Sequence, residues 1–265
     1  MSAQSETASR ILIGASSFAD AAAALRLIER IIRELQPSLG GILVDETTPL
    51  AICELPNQRV ISASGQVSLA PQRAQVNAMI EADARAFRKS LSHIAETAGA
   101  SWTFERGIGD LLQKSLDIGT ASDILVLAQR KTHPVRGKVV LLSSSTASES
   151  KVMDMSRLLA QNLSADHIVM AVDETDKRLD ASGGTGPGHF RTLTDVLSRL
   201  ARINAQAVIL DLAQGPVRSI EELRQLVDVA RCPVFVFGMS AISRTIEHKV
   251  QIPPAPDDKS HFNGE

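Results

Sequence analysis

Two pairs of serines stand where hydroxyl groups could bind an anion. Ser16 and Ser17 follow the apolar run at residues 11–14, and Ser144 and Ser145 follow the similar run at 139–142. Each pair ends a predicted buried strand and begins a predicted helix, whose N-terminal N–H groups and dipole favour negative charge. The same serines are typical helix N-caps, and since no glycine beside them permits close approach of a ligand, capping is the favoured interpretation.

Two glutamines complete these candidate sites. Gln129 and Gln214 each follow a Leu-Ala pair at the end of a later predicted strand. In an open parallel sheet, ligands bind beyond the carboxyl ends of the strands, where the strand order reverses. The sequence therefore predicts two weak cofactor-binding sites. One comprises Ser16, Ser17 and Gln129, and the other comprises Ser144, Ser145 and Gln214.

Paired carboxylates form a second candidate. Asp45 and Glu46, and again Asp173 and Glu174, follow predicted strands. Two acids could hold a divalent cation or perform acid–base chemistry. No further ligands stand near them in the sequence, and the six histidines and two cysteines show no metal-binding spacing. We therefore assign neither a metal site nor a catalytic residue.

The glycine-rich stretch at residues 182–188 resembles a phosphate-binding loop in composition. It lacks the lysine of a P-loop and does not directly follow a strand. A flexible linker that replaces deleted structure is the favoured interpretation.

The elements that would position these residues occur twice. Residues 10–47 read again at 138–175, and both copies end in Val-Asp-Glu-Thr. A repeat of this length indicates a duplicated domain. Because Asp173 and Leu212 are much closer in sequence than Asp45 and Leu127, we expect the second copy to lack about one strand–helix unit.

Hydrophobic periodicity gives the order of the elements. Short continuous apolar runs alternate with amphipathic helices, which predicts a parallel sheet covered on both faces. A short strand is predicted near residues 59–62, and a long helix between Pro71 and Gly99 has a predicted buried stripe that begins with Val76, Met79 and Ile80. The apolar closing strand at 233–237 should be paired across a dimer or covered, because an open edge invites aggregation.

Composition excludes several classes of partner. The net charge of the 265 residues is −2 and aromatic residues make up 3%, so nothing favours nucleic acid or an anionic membrane. No apolar run could span a bilayer, and the polar N-terminus lacks the core of a signal peptide. We expect a cytoplasmic protein with disordered segments at residues 1–9 and 251–265.

Four motifs in this order resemble the universal stress protein family in its tandem form. They are Arg10-Ile-Leu-Ile-Gly, Phe104-Glu-Arg-Gly107, Ser122-Asp-Ile-Leu-Val-Leu and Arg231-Cys-Pro-Val-Phe-Val-Phe. The resemblance covers residues 10–238. It implies an α/β fold of two universal-stress-like (adenine nucleotide alpha hydrolase-like) doubly wound parallel-sheet domains in tandem, at 10–133 and 134–240, the second shortened. The strand order it implies is 3-2-1-4-5, with dimers often formed through the fifth strand.

Family members that bind ATP carry an acidic residue after the first strand and a glycine loop after the fourth. Ser16 and Ser144 stand at the acidic position here, and the glycine loop follows neither Leu127 nor Leu212. Such loops need glycine because their backbone amides approach the phosphates closely. The resemblance thus implies a non-enzymatic regulatory or partner-binding protein with a degenerate ATP site, no cofactor, and a protein partner or homodimer.

Two alternatives remain open at this point. A nucleotide-binding stress switch could use the serine-tipped strands and the glycines at 183–188 as a non-standard phosphate site. An enzyme of the wider adenine-nucleotide-hydrolase-like group would need clustered polar side chains at the carboxyl edge of the sheet.

Overall fold

Strands and helices alternate along most of the chain. The computed structural model describes residues 10–35, 37–46, 59–61, 64–69, 71–120, 123–129, 137–144, 151–172 and 188–241. The segments predicted to be disordered, 1–9 and 251–265, lie outside these ranges, as do Ser145, Asp173 and Glu174. The strands are β1 (Arg10–Ala15), β2 (Ser38–Asp45), β3 (Arg59–Ile61), β4 (Val67–Leu69), β5 (Trp102–Ile108), β6 (Ile124–Leu127), β7 (Lys138–Ser144), β8 (Asp166–Val172), β9 (His189–Phe190), β10 (Ala205–Asp211) and β11 (Val234–Phe237). The helices are α1 (Phe18–Leu35), α2 (Arg73–Ala98), α3 (Leu111–Ile118), α4 (Lys151–Leu163), α5 (Leu193–Leu200) and α6 (Ile220–Ala230).

One continuous sheet of nine strands runs through both halves of the chain, in the order β5-β2-β1-β6-β11-β10-β7-β8-β9. Neighbouring strands are parallel except for β6 and β11, which pair antiparallel. The second half therefore has the complete 3-2-1-4-5 order that the family resemblance implies. The first half has 3-2-1-4, and β11 takes the place of its fifth strand.

Strand β11 is paired on both edges within the chain. Val234 lies opposite Leu127 of β6 and also opposite Val208 of β10. The prediction that this strand would be covered is confirmed, and its cover is β6 rather than a second copy. The boundary predicted at residues 133 and 134 stays a prediction, because residues 130–136 lie outside the described ranges.

The two copies of the sequence repeat have the same strand register. Arg10 lies opposite Ser38 in the first half, and Lys138 lies opposite Asp166 at the same spacing in the second. The later strands correct the sequence alignment, however. Residue Gly14 pairs with Leu127, whereas the corresponding Leu142 pairs with Leu210. The two Leu-Ala-Gln tripeptides are therefore two residues out of step, since β10 continues to Asp211.

The second half is shorter between its second and third strands, where residues 173–187 lie outside the described ranges. The third strand survives as β9 and is followed by α5, in the places of β5 and α3. Among the described residues, the parts of the first half without a counterpart are the ribbon β3–β4 and the 26-residue helix α2.

Helices cover both faces of the sheet, as predicted for a doubly wound fold. Ile11 and Ile13 of β1 belong to the core beneath α1, α2 and α4. Leu12 belongs to the core beneath α3, α5 and α6. Successive side chains of a strand point to opposite faces, so each central strand contributes to both cores. Each core contains residues from both halves of the chain, which joins the halves into one packed body.

Three local predictions were wrong, all near the start of α2. Met79 is 65% exposed instead of buried, and Val76 and Ile80 are only half-buried. The buried stripe of α2 begins at Ala84 and continues through Phe87. Strand β4 was missed altogether, although β3 was predicted.

The third strand of the first half is longer than its motif. The motif that ends in Gly107 lies within β5, which continues to Ile108. Helix α3 follows and begins at Leu111. Among the described helices, none is long and apolar enough to cross a membrane.

Candidate functional site

The strand order reverses at two equivalent places, which lie beyond the carboxyl ends of β1 and β6 and of β7 and β10. An open crevice of about 400 Å³ lies at the first of these places. This volume falls within the roughly 300–1,000 Å³ typical of small-molecule sites. Its lining comprises Ser16, Asp20, Glu46, Asp110, Leu111, Leu112, Leu127, Ala128, Gln129, Arg224, Val227 and Asp228. Two of the three predicted residues of the first half, Ser16 and Gln129, are therefore brought together.

The serines of the first half act as partners of carboxylates. The Ser16 hydroxyl donates to Oε1 of Glu46 at 2.9 Å. The Ser17 hydroxyl accepts from the backbone N–H of Asp20 at 3.2 Å and donates to the Asp20 carboxylate at 2.6 Å. Ser17 is therefore the N-cap of α1, as the favoured interpretation predicted. It does not line the crevice.

The N-terminus of α1 already holds negative charge. Besides Asp20, the carboxylate of Asp83 on α2 accepts from the backbone N–H of Phe18 at 3.1 Å. A helix N-terminus attracts an anion through free N–H groups and the positive end of its dipole. Here the Asp83 carboxylate accepts from the Phe18 N–H and the Ser17 hydroxyl accepts from the Asp20 N–H, and the charges of Asp20 and Asp83 oppose a second anion.

Helix α3 presents its N-terminus to the same crevice with another carboxylate. Asp110 caps the helix by accepting from the N–H of Gln113 at 2.9 Å. Both carboxylate oxygens of Asp110 also accept from the Arg224 guanidinium, at 2.7 and 3.1 Å. The bonds from Arg224 lower the pKa of Asp110 below its usual range, although burial opposes the shift. This ion pair links α3 of the first half to α6 of the second.

The charges of the crevice favour positive over negative ligands. Asp20, Glu46, Asp110 and Asp228 line it, and Arg224 is the one basic side chain among its described lining residues. Arg224 is already bound to Asp110. A triphosphate placed here would therefore meet several carboxylates and no unengaged guanidinium, and the Coulomb term would oppose its binding.

Among the described residues, the equivalent place in the second half shows a much smaller pocket; residues 145–150, which follow β7, lie outside the described ranges. The pocket between β7 and β10 holds about 20 Å³, which is enough for little more than one water molecule. The Ser144 hydroxyl donates to the backbone carbonyl of Gln214 at 2.6 Å. The turn that brings Gln214 there is fixed by Asp211, whose side chain accepts from Ala213 N and whose carbonyl accepts from Gly215 N. Ser144 and Gln214 thus meet, as predicted, but through a bond between the two residues.

The first pair of carboxylates does not converge on a common point. Asp45 accepts from Arg106 at 2.9 Å, whereas Glu46 accepts from Ser16. Within the described ranges, no three His, Cys, Asp or Glu side chains are grouped closely enough to hold a metal ion. The second pair lies outside those ranges. Of the glycine-rich stretch, only Gly188 is described.

Sequence reasoning missed three residues that act at the crevice or at the helix N-termini beside it. Asp110 directly precedes a helix and has the typical N-cap signature, so it could have been found. Arg224 and Asp83 carried no such signal. Each bonds to an element distant in sequence, Arg224 of α6 to Asp110 and Asp83 of α2 to the first N–H of α1.

Comparison with known proteins supplies similar structures at low sequence identity. The sequence matches no protein-family model and no curated protein. A universal stress protein from Archaeoglobus fulgidus is 12% identical, with a TM-score of 0.45 over 87% of this chain and 96% of that one. A functionally unknown protein from Pseudomonas aeruginosa PAO1 is 10% identical, with a TM-score of 0.45 over 92% and 97%. A protein from Pseudomonas aeruginosa UCBPP-PA14 assigned to the universal stress proteins is 10% identical, with a TM-score of 0.44 over 92% and 98%.

Proposed function

We propose that this chain is a universal-stress-like regulatory protein that binds a partner, catalyses no reaction and does not bind ATP at its sheet crevices. The observation that carries the proposal is the state of the helix N-termini at the open crevice. Asp83 and the Ser17 hydroxyl accept from N–H groups of α1, and Asp110 accepts from an N–H group of α3. These N–H groups would otherwise attract phosphate.

The chemistry of the crevice supports the non-enzymatic part of the proposal. Ser16 donates to a carboxylate, and no histidine lines the crevice among its described residues. Nucleophilic catalysis by a serine needs an adjacent base oriented by a third group. Ser156 does lie 2.8 Å from His167. However, Ser156 is fully buried and also bonds to the Met153 carbonyl, so it is placed for packing rather than for reaction with a substrate.

The alternative of a nucleotide switch needs serine hydroxyls that are available to a phosphate, and the described serines at the strand ends already have hydrogen-bond partners within the chain. Ser16 and Ser17 are both bonded to carboxylates, and Ser144 is bonded to a backbone carbonyl. Of the glycines it would use, those at 183–187 lie outside the described residues. We place the protein in the cytoplasm, where a regulatory role through a partner chain would operate.

Isothermal titration of the intact protein with ATP and ADP tests the proposal. We expect no binding tighter than about millimolar, because each N-terminus that faces the crevice is already compensated. The control is Arg224→Ala, which removes the one basic side chain described in the lining. Micromolar binding with one nucleotide per chain would overturn the proposal, and its loss in Arg224→Ala would place the nucleotide in the crevice.

A further inference from the structure

The ribbon β3–β4 and the first turns of α2 form a projecting segment, which we call the arm (residues 59–61, 64–69 and 71–82). We propose that the arm is the surface through which two copies of this chain associate. This deepens the partner-binding part of the proposed function by naming the partner and the surface.

One face of the ribbon is mostly apolar and exposed. Ile61 lies opposite Val67, and Leu69 lies opposite Arg59 at the other end of the ribbon. Because side chains alternate along a strand, these four share one face. Its three apolar members, Ile61, Val67 and Leu69, are 70%, 54% and 76% exposed, respectively. Large aliphatic side chains grouped this way on a two-stranded ribbon mark an interaction surface rather than scattered surface residues.

The ribbon gains little support from the rest of the described chain. Strands β3 and β4 contact each other extensively, but neither makes extensive contacts with any other described strand or helix. A two-stranded ribbon is only marginally stable alone in water, and its edges offer unpaired N–H and C=O groups. A second ribbon can supply both an apolar face and hydrogen bonds to an edge.

The charge of the arm favours a second copy over a charged partner. Arg59, Arg73 and Glu81 are the only charged residues among the 24 from 59 to 82, whereas 22% of the whole chain is charged. Glu81 is moreover engaged by Arg106 at 2.6 Å. A nucleic acid, an anionic membrane or a strongly acidic protein would find few opposite charges here. A two-fold interface between two copies can bury the three aliphatic side chains of each ribbon against those of the other.

The size of the arm suits such an interface. It contains 21 described residues, and stable interfaces use roughly 20–30 residues on each side. The arm also has a fixed base. Phe87 and Leu91 bury α2 against the sheet, and Arg106 bridges Glu81 to Asp45. A rigid base reduces the ordering cost of association.

Analytical ultracentrifugation of the full chain over a range of concentrations tests the arm. We expect the wild type to sediment with the mass of two 28.4 kDa chains. Ile61→Lys and Leu69→Lys should each raise the dissociation constant about tenfold or more, because each places a charge where an apolar side chain would be buried. The matched control is Ser68→Lys, which adds the same charge to the opposite face of the ribbon and should leave the dissociation constant unchanged.

Two results would overturn the arm as a dimer surface. One is a wild type that stays monomeric throughout the range, and the other is a dimer that persists in Ile61→Lys and Leu69→Lys. Circular dichroism of each variant distinguishes a lost interface from a lost fold, since these exposed side chains support no core. The nucleotide titration is a separate measurement, so a failure of the arm leaves the proposal about the crevice intact.

Discussion

The two crevices occupy equivalent places in one sheet, yet the described residues leave an open space at one and a small pocket at the other. The first holds about 400 Å³ and the second about 20 Å³. The strands that frame them share the same register, from Arg10 opposite Ser38 to Lys138 opposite Asp166. One described feature of the second crevice is the turn after its fourth strand. After β10, the turn at Asp211 brings the Gln214 carbonyl onto Ser144.

Two places with the same strand frame can therefore differ in the site that they form. The repeated frame fixes where two strand ends diverge, and the described turn after β10 takes up part of the space at the second place. Both halves carry serines at the end of their first strand. Ser16 lines the open crevice of the first half, whereas Ser144 of the second half donates a hydrogen bond to the Gln214 carbonyl in the turn after β10. An equivalent position in a repeat therefore does not imply an equivalent role.

The largest expected effect on stability comes from a substitution in β11, the strand that pairs with both halves. Phe235 of β11 is fully buried between β6 and β10. We expect Phe235→Ala to cost about 3–5 kcal/mol of unfolding free energy, as for other buried phenylalanines. Trp102, the only tryptophan, reports from the edge strand β5, far along the sheet. In urea, its fluorescence and the circular dichroism should shift together to a lower midpoint.

A contrary result for this variant would separate the halves. If the Trp102 transition kept its wild-type midpoint while circular dichroism showed a second, earlier transition, the two halves would unfold independently. Phe237→Ala is the control, because Phe237 is only half-buried at the end of the same strand. Phe237→Ala should lower the free energy of unfolding clearly less than Phe235→Ala does.

A smaller effect is expected from the ion pair that only the open crevice has. Asp110→Ala removes an N-cap and the partner of Arg224, and should cost about 1–2 kcal/mol. Arg224→Ala removes only the exposed ion pair and should cost less than about 1 kcal/mol. Urea unfolding at neutral pH measures both. A near-zero loss is expected for Asp228→Ala on the same helix, since it caps no helix; equal losses for all three would contradict this ranking.

The pH dependence of Asp110 follows from the same geometry. Arg224 lowers its pKa in the folded protein below the usual value near 4. The carboxylate therefore contributes its full stabilisation above about pH 4 and loses it as the pH falls through the lowered pKa. The stability difference between wild type and Asp110→Ala should shrink below about pH 4 and stay constant above it.

Sequence alone predicted the frame because apolar runs and helical periodicity are local signals. Most strands of both halves and the cap at Ser17 were found this way, whereas the short strands β4 and β9 were not. Three features depended on distant parts of the chain and were missed. The sharing of β11 needs the antiparallel pairing with β6, the exposure of Met79 needs the projection of α2 from the sheet, and the ion pair needs Arg224 from the other half. A hydrophobic stripe predicts an amphipathic helix, but it does not predict at which residue the helix stops packing against the rest of the protein.

Ser144 and Ser16 should differ in how much they stabilise the fold. Ser144→Ala should lower the free energy of unfolding by about 0.5–1.5 kcal/mol, because it removes the bond to the Gln214 carbonyl beside the second crevice. Ser16→Ala removes an exposed bond to Glu46 and should change stability by less than about 0.5 kcal/mol. Urea unfolding compares the two variants directly. If Ser16→Ala lost more unfolding free energy than Ser144→Ala, the first crevice would depend on its serine more than the second does.

The smallest effect concerns a pair of positions that differs chemically between the halves. Ser156 and His167 are bonded at 2.8 Å in the second half, and the repeat places the fully buried Ile28 and Leu39 at the same positions in the first. Burial, and to a lesser extent the charge of Arg157, lower the pKa of His167 in the folded protein. The unfolded chain therefore takes up the proton more readily just below the usual pKa of about 6.5. Stability should be complete above that pH and decrease as the pH falls through it. His167→Leu copies the first half and should remove this contribution between pH 7 and pH 5 in urea unfolding; an unchanged slope in the variant would assign the pH dependence to other groups.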